Sequence, residues 1–210
     1  MFAASRFRDR TAVIAGAGHP LGASLCLRLA GFGATVVALD RDEEALIALA
    51  RQAPDRIEPL ALRPGRRDVL TLLGEAWGAT PLDLLIDLLP MTSLTAGERP
   101  GAALARSAGL VRALLHGIRQ GSAQVVMAVP RPERPGDADT QARAAAHVTL
   151  VQRCAPACRP GRVAGLGLPL RTDWSQQALL SAGDLALMLC HPVSRGLQGG
   201  SVVDWAQPSR

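Results

Sequence analysis

Apolar positions along the chain alternate between two periods. Short β-prone runs at 11–18 and 34–40 are each followed by a stretch with apolar residues at helical spacing, 21–33 and 41–52. The alternation continues, with strands predicted at 57–62, 82–89, 124–129, 162–168 and 201–205 and helices at 69–77, 102–120, 140–154 and 182–189. Strands that alternate with helices favour a mostly parallel sheet with helices on both faces. We therefore predict a single α/β domain over residues 1–210, built on a doubly wound parallel sheet.

A glycine-rich turn joins the first predicted strand to the first helix. It reads Ala-Gly-Ala-Gly-His-Pro-Leu-Gly over residues 15–22, and glycines there let a pyrophosphate approach backbone N–H groups at a helix amino terminus. Asp40 ends the second strand, where a carboxylate accepts hydrogen bonds from an adenosine ribose and disfavours a 2′-phosphate. This combination predicts a Rossmann-like fold with an NAD site formed by Gly16, Gly18, His19, Leu21, Gly22, Asp40 and Arg41.

Two alternatives explain the same turn. In a purely structural one, the glycines allow a tight turn and close helix packing, and Asp40 caps the following helix. Binding of S-adenosylmethionine also uses a glycine turn and an acid at the second strand, but the later segments fit it poorly.

Composition removes several kinds of chemistry. The chain has no lysine, tyrosine or asparagine, and all 23 of its Lys+Arg positions are arginine, so no phenol or side-chain amine is available as an acid or base.

The net charge is +5 and the pI about 10.1, but the arginines are scattered and aromatic residues are few, so we expect no nucleic-acid partner. The four cysteines lack metal-ligand spacing, which predicts free buried thiols and no metal. No leader or membrane-spanning stretch stands out, so we expect a cytoplasmic protein.

The ordered segments resemble the short-chain dehydrogenase/reductase family over nearly the whole chain. The family's first turn, T-G-x-x-x-G-x-G, matches residues 15–22 except at Ala15 and Pro20, and its second-strand ending V-V-x-x-D-R matches residues 36–41. Later matches, in chain order, are L-D-V-L-V-N-N-A-G with residues 82–90, G-x-I-V-N-I-S-S with 122–130, and a final helix followed by T-G-x-x-x-x-V-D with 184–204. The resemblance implies a Rossmann fold, a nicotinamide cofactor and oxidoreductase chemistry.

The residues at the family's catalytic positions have changed. Family members use a Tyr-x-x-x-Lys pair, a Ser and an Asn; the best frame places Asp139 at the Tyr, Arg143 at the Lys, and Val129 and Pro130 where the Ser belongs. An ionised carboxylate cannot donate a proton, and a permanently charged guanidinium is no acid–base group. The resemblance therefore leaves the chain without a catalytic residue, and we predict that it has no ordinary ketoreductase activity.

Departures at the cofactor site predict that NAD binding is weak or lost. Pro20 deletes one N–H from the phosphate-binding turn, although proline is also favourable at the first position of a helix. The family's N-N-A-G turn, which flanks the adenosine, has become Asp87-Leu88-Leu89-Pro90. The acid that contacts adenine after the third strand is missing as well.

Assembly is the other property that the resemblance implies. Family members generally form dimers and tetramers through two long helices, which correspond to about 102–120 and 140–154. Their small and apolar residues are Ala103, Leu104, Ser107, Leu110, Val111, Leu114 and Leu115 in the first and Ala142, Ala145, Ala146, Thr149 and Leu150 in the second. We expect a homo-oligomer, or a hetero-oligomer with an active paralogue of the family.

Two other functions remain open. An NAD-dependent oxidoreductase could use His147 or Asp139 as a non-standard acid–base group. A nucleotide-sensing regulator would bind at the Asp40 site without turnover.

Overall fold

A computed structural model describes residues 4–62, 69–95, 100–133, 136–191, 194 and 196–206. Within them the strands are β1 (Thr11–Ala15), β2 (Thr35–Asp40), β3 (Ile57–Ala61), β4 (Leu84–Asp87), β5 (Gln124–Arg131), β6 (Arg162–Pro169) and β7 (Val202–Asp204). The helices are α1 (Pro20–Gly31), α2 (Glu43–Ala50), α3 (Val69–Trp77), α4 (Leu89–Thr95), α5 (Pro100–Ala113), α6 (Leu115–Gly121), α7 (Ala138–Ala157) and α8 (Gln176–Leu189). A short 3₁₀ turn at Ala4–Arg6 precedes β1.

The described strands form one parallel sheet in the order β3-β2-β1-β4-β5-β6-β7. Chain order runs one way from β1 to β3 and the other way from β4 to β7, so the topology switches direction between β1 and β4. Doubly wound sheets bind ligands in the crevice beyond the carboxyl ends of the strands at such a switch point. The predicted fold class, a Rossmann-like α/β domain, is confirmed.

Helices cover both faces of the sheet. Successive side chains of a strand point to opposite faces of the sheet. Ala12 and Ile14 of β1 therefore lie on the face that α1 and α8 cover, and Val13 and Ala15 lie on the face that α5 and α7 cover. Both faces are apolar and buried, which explains why the strands read as continuous hydrophobic runs.

One predicted long helix is two helices. The pattern predicted a single helix at 102–120, but the chain bends at Leu114, whose φ of −93° and ψ of 3° lie outside the helical region, and α6 begins at Leu115. After the bend, Gly117 lies against the Trp77 indole and the Thr80 carbonyl, where a Cβ would collide with both. The hydrophobic period continues through the bend, so periodicity alone could not reveal it.

Two other helix boundaries differ from the prediction. The apolar run predicted as a strand at 82–89 ends at Asp87, because its carboxylate accepts the Leu89 N–H and α4 starts there. The last helix starts at Gln176 rather than at 182, since the Ser175 hydroxyl accepts the Ala178 N–H as an N-cap.

Candidate functional site

The glycine turn lies at the topological switch point, directly after β1. The chain leaving β4 crosses beside it, and the Leu88 N–H donates to the Ala15 carbonyl at 2.8 Å. Gly16 has a φ of +84°, and a Cβ there would lie 2.8 Å from the Leu88 carbonyl carbon. A Cβ on Gly22 would collide with the Gly16 carbonyl oxygen. Both glycines therefore serve the packing of the turn against β4 and α1, as the structural alternative requires.

Asp40 ties the end of β2 to this turn. Its side chain is buried, and the carboxylate accepts three backbone hydrogen bonds, from Gly18 N–H at 2.9 Å, Arg41 N–H at 2.7 Å and Asp42 N–H at 3.2 Å. Arg41 thus contacts the site through its backbone. A carboxylate offers about four acceptor positions, so most of the capacity predicted for a ribose diol is used within the protein. The N-cap of α2 is Asp42 rather than Asp40, because the Asp42 carboxylate accepts the Ala45 N–H.

Every backbone N–H from Gly16 to Leu21 has a partner inside the protein. Gly16 and Ala17 donate to the Leu39 carbonyl, Gly18 to Asp40 Oδ2, His19 to the Gly16 carbonyl, and Leu21 to His19 Nδ1, while Pro20 has no N–H. A pyrophosphate would need to break some of these bonds to use the donors that such a turn ordinarily offers.

His19 is the N-cap of α1 and is 6% exposed. Its Nδ1 accepts the Leu21 N–H at 3.2 Å, so the proton of the neutral ring is on Nε2, which is buried without a hydrogen-bond partner. Burial lowers the pKa of His19 to about 4 against the opposing effect of the Asp40 charge. The imidazole packs edge-on against Trp174, with ring centroids 5.6 Å apart, and Trp174 contacts Trp205 at the same separation.

A shallow pocket of about 260 Å³ remains beside the turn. It is lined by Gly18, His19, Pro20, Asp40, Asp42, Thr92, Arg171 and Thr172. Small-molecule sites usually occupy roughly 300–1,000 Å³, so this pocket is small for a dinucleotide. The turn and the pocket do not fit such a cofactor as they stand.

The positions that the resemblance aligns with the family's catalytic residues do not line this pocket. Val129 and Pro130 are buried near the end of β5 and pair with β6. Asp139, Arg143 and His147 line a separate groove of about 330 Å³ between α5 and α7, which they share with Gly101, Leu104, Ala142 and Ala146. None of the residues that line the pocket at the glycine turn lines this groove.

His147 is held in one orientation within α7. It is 2% exposed, its Nδ1–H donates to the Arg143 carbonyl at 2.8 Å, and its Nε2 is buried without a partner. Burial lowers the pKa of His147, although the bond to the Arg143 carbonyl opposes this effect. The ring is therefore neutral near pH 7 and serves chiefly as a packed side chain.

A buried carboxyl that sequence reasoning did not single out as a site lies at the end of β4. Asp87 is fully buried, Oδ1 accepts the Leu89 N–H at 3.0 Å, and Oδ2 has no hydrogen bond. Burial raises the pKa of Asp87 to about 6, opposed by the nearby Ser107 hydroxyl and the Leu89 N–H. The Ser107 hydroxyl is close enough to lower this pKa, but it forms no hydrogen bond with the Asp87 carboxyl. The sequence signal for this buried carboxyl is an acidic residue at the end of the apolar run Leu-Leu-Ile-Asp.

Other predicted features can be checked in the described part of the chain. All four cysteines are free and buried, as predicted. No three His, Cys, Asp or Glu side chains there are grouped to hold a metal ion. No helix among these residues is long and apolar enough to cross a membrane.

Comparison with known proteins gives a structural likeness only. No family model matches the sequence, and no curated protein matches it. The fold is similar to a short-chain dehydrogenase from Salmonella enterica (20% identity over 97% of this chain and 98% of that chain, TM-score 0.72). It is also similar to a hydroxysteroid dehydrogenase from Escherichia coli (17%, 95% and 97%, 0.71) and to a gluconate 5-dehydrogenase from Burkholderia cenocepacia in complex with NADP and tartrate (20%, 97% and 97%, 0.70). The chain has the fold of the short-chain dehydrogenases.

Proposed function

We propose that this chain is a degenerate short-chain dehydrogenase/reductase that has no oxidoreductase activity of its own and serves as a structural or regulatory subunit in the cytoplasm. It assembles with itself or with an active paralogue of the family. The observation that carries the proposal is the chemistry at the family's catalytic positions: Asp139 and Arg143 lie one turn apart on α7, and neither is a proton donor for an alkoxide.

The chemistry at these positions supports inactivity. Hydride delivery to a carbonyl leaves an alkoxide that needs a proton, and a positioned proton donor contributes about 10²- to 10⁴-fold in rate. Asp139 is exposed and would repel the alkoxide, and Arg143 holds its proton permanently. Groups that act as a unit leave little activity when several are lost together.

Weak or lost cofactor binding is part of the proposal. Each hydrogen bond of the turn that a pyrophosphate must replace contributes about 1 kcal/mol to the closed state. The Asp40 carboxylate already accepts three backbone N–H groups, which leaves about one acceptor position for a ribose diol. A nucleotide-sensing role at Asp40 meets the same obstacle.

The face available for assembly is narrower than the sequence suggested. Ala103, Ser107, Leu110, Val111 and Leu114 are buried in the protein's own core, so a partner cannot reach them. The α7 residues Ala142, Ala145 and Thr149 are exposed, and Ala146 and Leu150 are half-buried.

Small side chains let a second helix approach α7 closely. Asp139 and Arg143 lie one turn apart with opposite charges, which suits a two-fold interface where each meets its opposite on the partner.

Sedimentation velocity tests the assembly. The wild-type chain should sediment as a dimer or larger, and Ala142→Glu should shift it to monomer because a buried unpaired charge is unfavourable. Ala48→Glu, on the exposed face of α2, is the matched control and should change nothing. Co-expression with an active short-chain dehydrogenase distinguishes the hetero-oligomer. A wild-type chain that is monomeric alone and captures no such partner would refute the proposal.

The alternative is an NAD-dependent oxidoreductase whose acid–base group is His147 or Asp139. Its supporting observation is that both side chains line the same groove. It predicts nicotinamide-dependent turnover of an alcohol or ketone that His147→Ala or Asp139→Ala abolishes. Lack of turnover across a broad panel of both substrates counts against it.

A further inference from the structure

The first two positions at the amino terminus of α1 leave no N–H group open to a ligand. A helix begins with N–H groups that have no partner within the helix, and anions bind there through those groups. In α1 the first residue is Pro20, which has no N–H, and the next N–H, from Leu21, donates to His19 Nδ1. The imidazole nitrogen thus takes the place that an anionic oxygen occupies at an open helix terminus.

The ring of His19 is fixed from a distant part of the fold. Trp174, in the segment between β6 and α8, packs against the edge of the imidazole, and Trp205, just after β7, packs against Trp174. The Trp205 Nε1–H donates to the Ser181 hydroxyl on α8 at 2.9 Å. Two aromatic residues, from the segment after β6 and from just after β7, therefore hold the imidazole beside the turn.

His19 does more than cap a helix. A serine would provide the same acceptor with only one polar side-chain atom, whereas the imidazole leaves Nε2–H buried and without a partner. Such unsatisfied donors are rare in folded proteins. The extra volume of the ring fills the space between the turn and Trp174, which a small cap would leave open.

We infer that His19 is an internal plug of a latent nucleotide site, and that removing its ring reopens the turn to a nucleoside diphosphate. The inference rests on the proposed loss of cofactor binding and assigns that loss to named side chains. Pro20 contributes by deleting a second donor. The turn itself keeps its glycines at positions 16, 18 and 22.

Calorimetric titration with ADP tests the plug in three variants of the full chain. His19→Ala/Pro20→Gly removes the ring and restores an N–H, His19→Ser/Pro20→Gly removes the ring but keeps a capping oxygen, and His116→Ala is a control on the exposed side of α6. Two recovered hydrogen bonds predict a gain of roughly 10- to 100-fold in affinity for the first variant over wild type. The serine variant should gain less, and the control should match wild type. A first variant that folds, by circular dichroism, yet binds ADP no better than wild type overturns the inference.

A second measurement on the wild-type protein holds even if the variants fail to fold. Nitrogen NMR should show the His19 proton on Nε2 at neutral pH and a Leu21 amide protected from exchange. A freely exchanging Leu21 amide, or a proton on Nδ1, overturns the plug. Micromolar ADP binding by wild type would also overturn it and leave the assembly proposal standing, whereas a monomeric chain would affect only the assembly proposal.

Discussion

Asp87→Asn tests how a buried charge at the end of β4 affects the free energy of unfolding, because it removes one ionisable group at a fully buried position. Asparagine has nearly the shape of aspartate, and its oxygen can still accept the Leu89 N–H that starts α4. Its amide group also offers a donor toward the Ser107 hydroxyl, which has no hydrogen bond in the wild-type protein. The variant therefore removes the ability to ionise while preserving the local contacts.

The magnitude follows from the pKa of Asp87. Burial raises that pKa from 3.8 to about 6, which corresponds to about 3 kcal/mol between the protonated and ionised forms. Because the folded-state value is the higher one, the stability linked to the proton is complete below pH 3.8. It is lost as pH rises through about 6. Asp87→Asn should thus raise the free energy of unfolding at pH 8 by up to about 3 kcal/mol, and by much less at pH 4.

Urea unfolding at pH 4, 6 and 8, at one protein concentration, measures this difference. Asp55→Asn is the matched control, since Asp55 is exposed and its replacement should have little effect at any pH. For a chain of this size, 3 kcal/mol also corresponds to roughly 6–12 °C in Tm. An Asp87→Asn variant that is no more stable than wild type at pH 8, or whose effect is the same at pH 4 and pH 8, would refute the reasoning.

Three further results are expected. Burial lowers the pKa of His19 from 6.5 to about 4, so its contribution to the free energy of unfolding is complete above pH 6.5 and is lost as pH falls through about 4. In an Asp87→Asn background, unfolding titrations should show acid destabilisation of up to about 3 kcal/mol. A stability that is flat over this pH range would contradict the buried neutral ring. Gly22→Ala should destabilise the protein by about 1–3 kcal/mol in thermal unfolding, because the added Cβ collides with the Gly16 carbonyl oxygen. Gly31→Ala, in open space at the end of α1, should be neutral or slightly stabilising. Equal effects of the two substitutions would count against close packing of Gly22 on the turn. Burial raises the pKa of Cys26, Cys158 and Cys190 to about 12, so iodoacetamide at pH 8 should label these thiols only after unfolding, and rapid native labelling by mass spectrometry would show the core to be open.

Much of the fold could be predicted because its determinants are local and repeated. The β1, β2 and β5 runs are apolar on both faces, and glycines stop the helix after β1, so the alternation of elements is visible in the sequence. The bend at Leu114 and the early start of α8 at Gln176 were missed, because hydrophobic periodicity does not report where a backbone turns. The Ser175 cap was a readable signal that the apolar pattern obscured.

The sequence located the candidate residues of the turn but could not give the contacts among their polar groups. Sequence identified Gly16, His19 and Asp40 as neighbours of one turn, yet whether their polar groups face a ligand or one another depends on side-chain directions that no spacing encodes. The closing partner, Trp174, comes from a segment more than a hundred residues away. Most of the residues expected to meet a partner between Ala103 and Leu114 are buried within the chain itself, because small and apolar residues mark either kind of contact.

Calorimetric titration of NAD and NADP into the wild-type chain tests the central claim most directly, namely that a Rossmann-type scaffold here has its nucleotide turn closed from within. The account predicts no saturable binding of either dinucleotide up to millimolar concentration, since the turn's N–H groups and the Asp40 carboxylate already have partners. Micromolar affinity for NAD or NADP would contradict it.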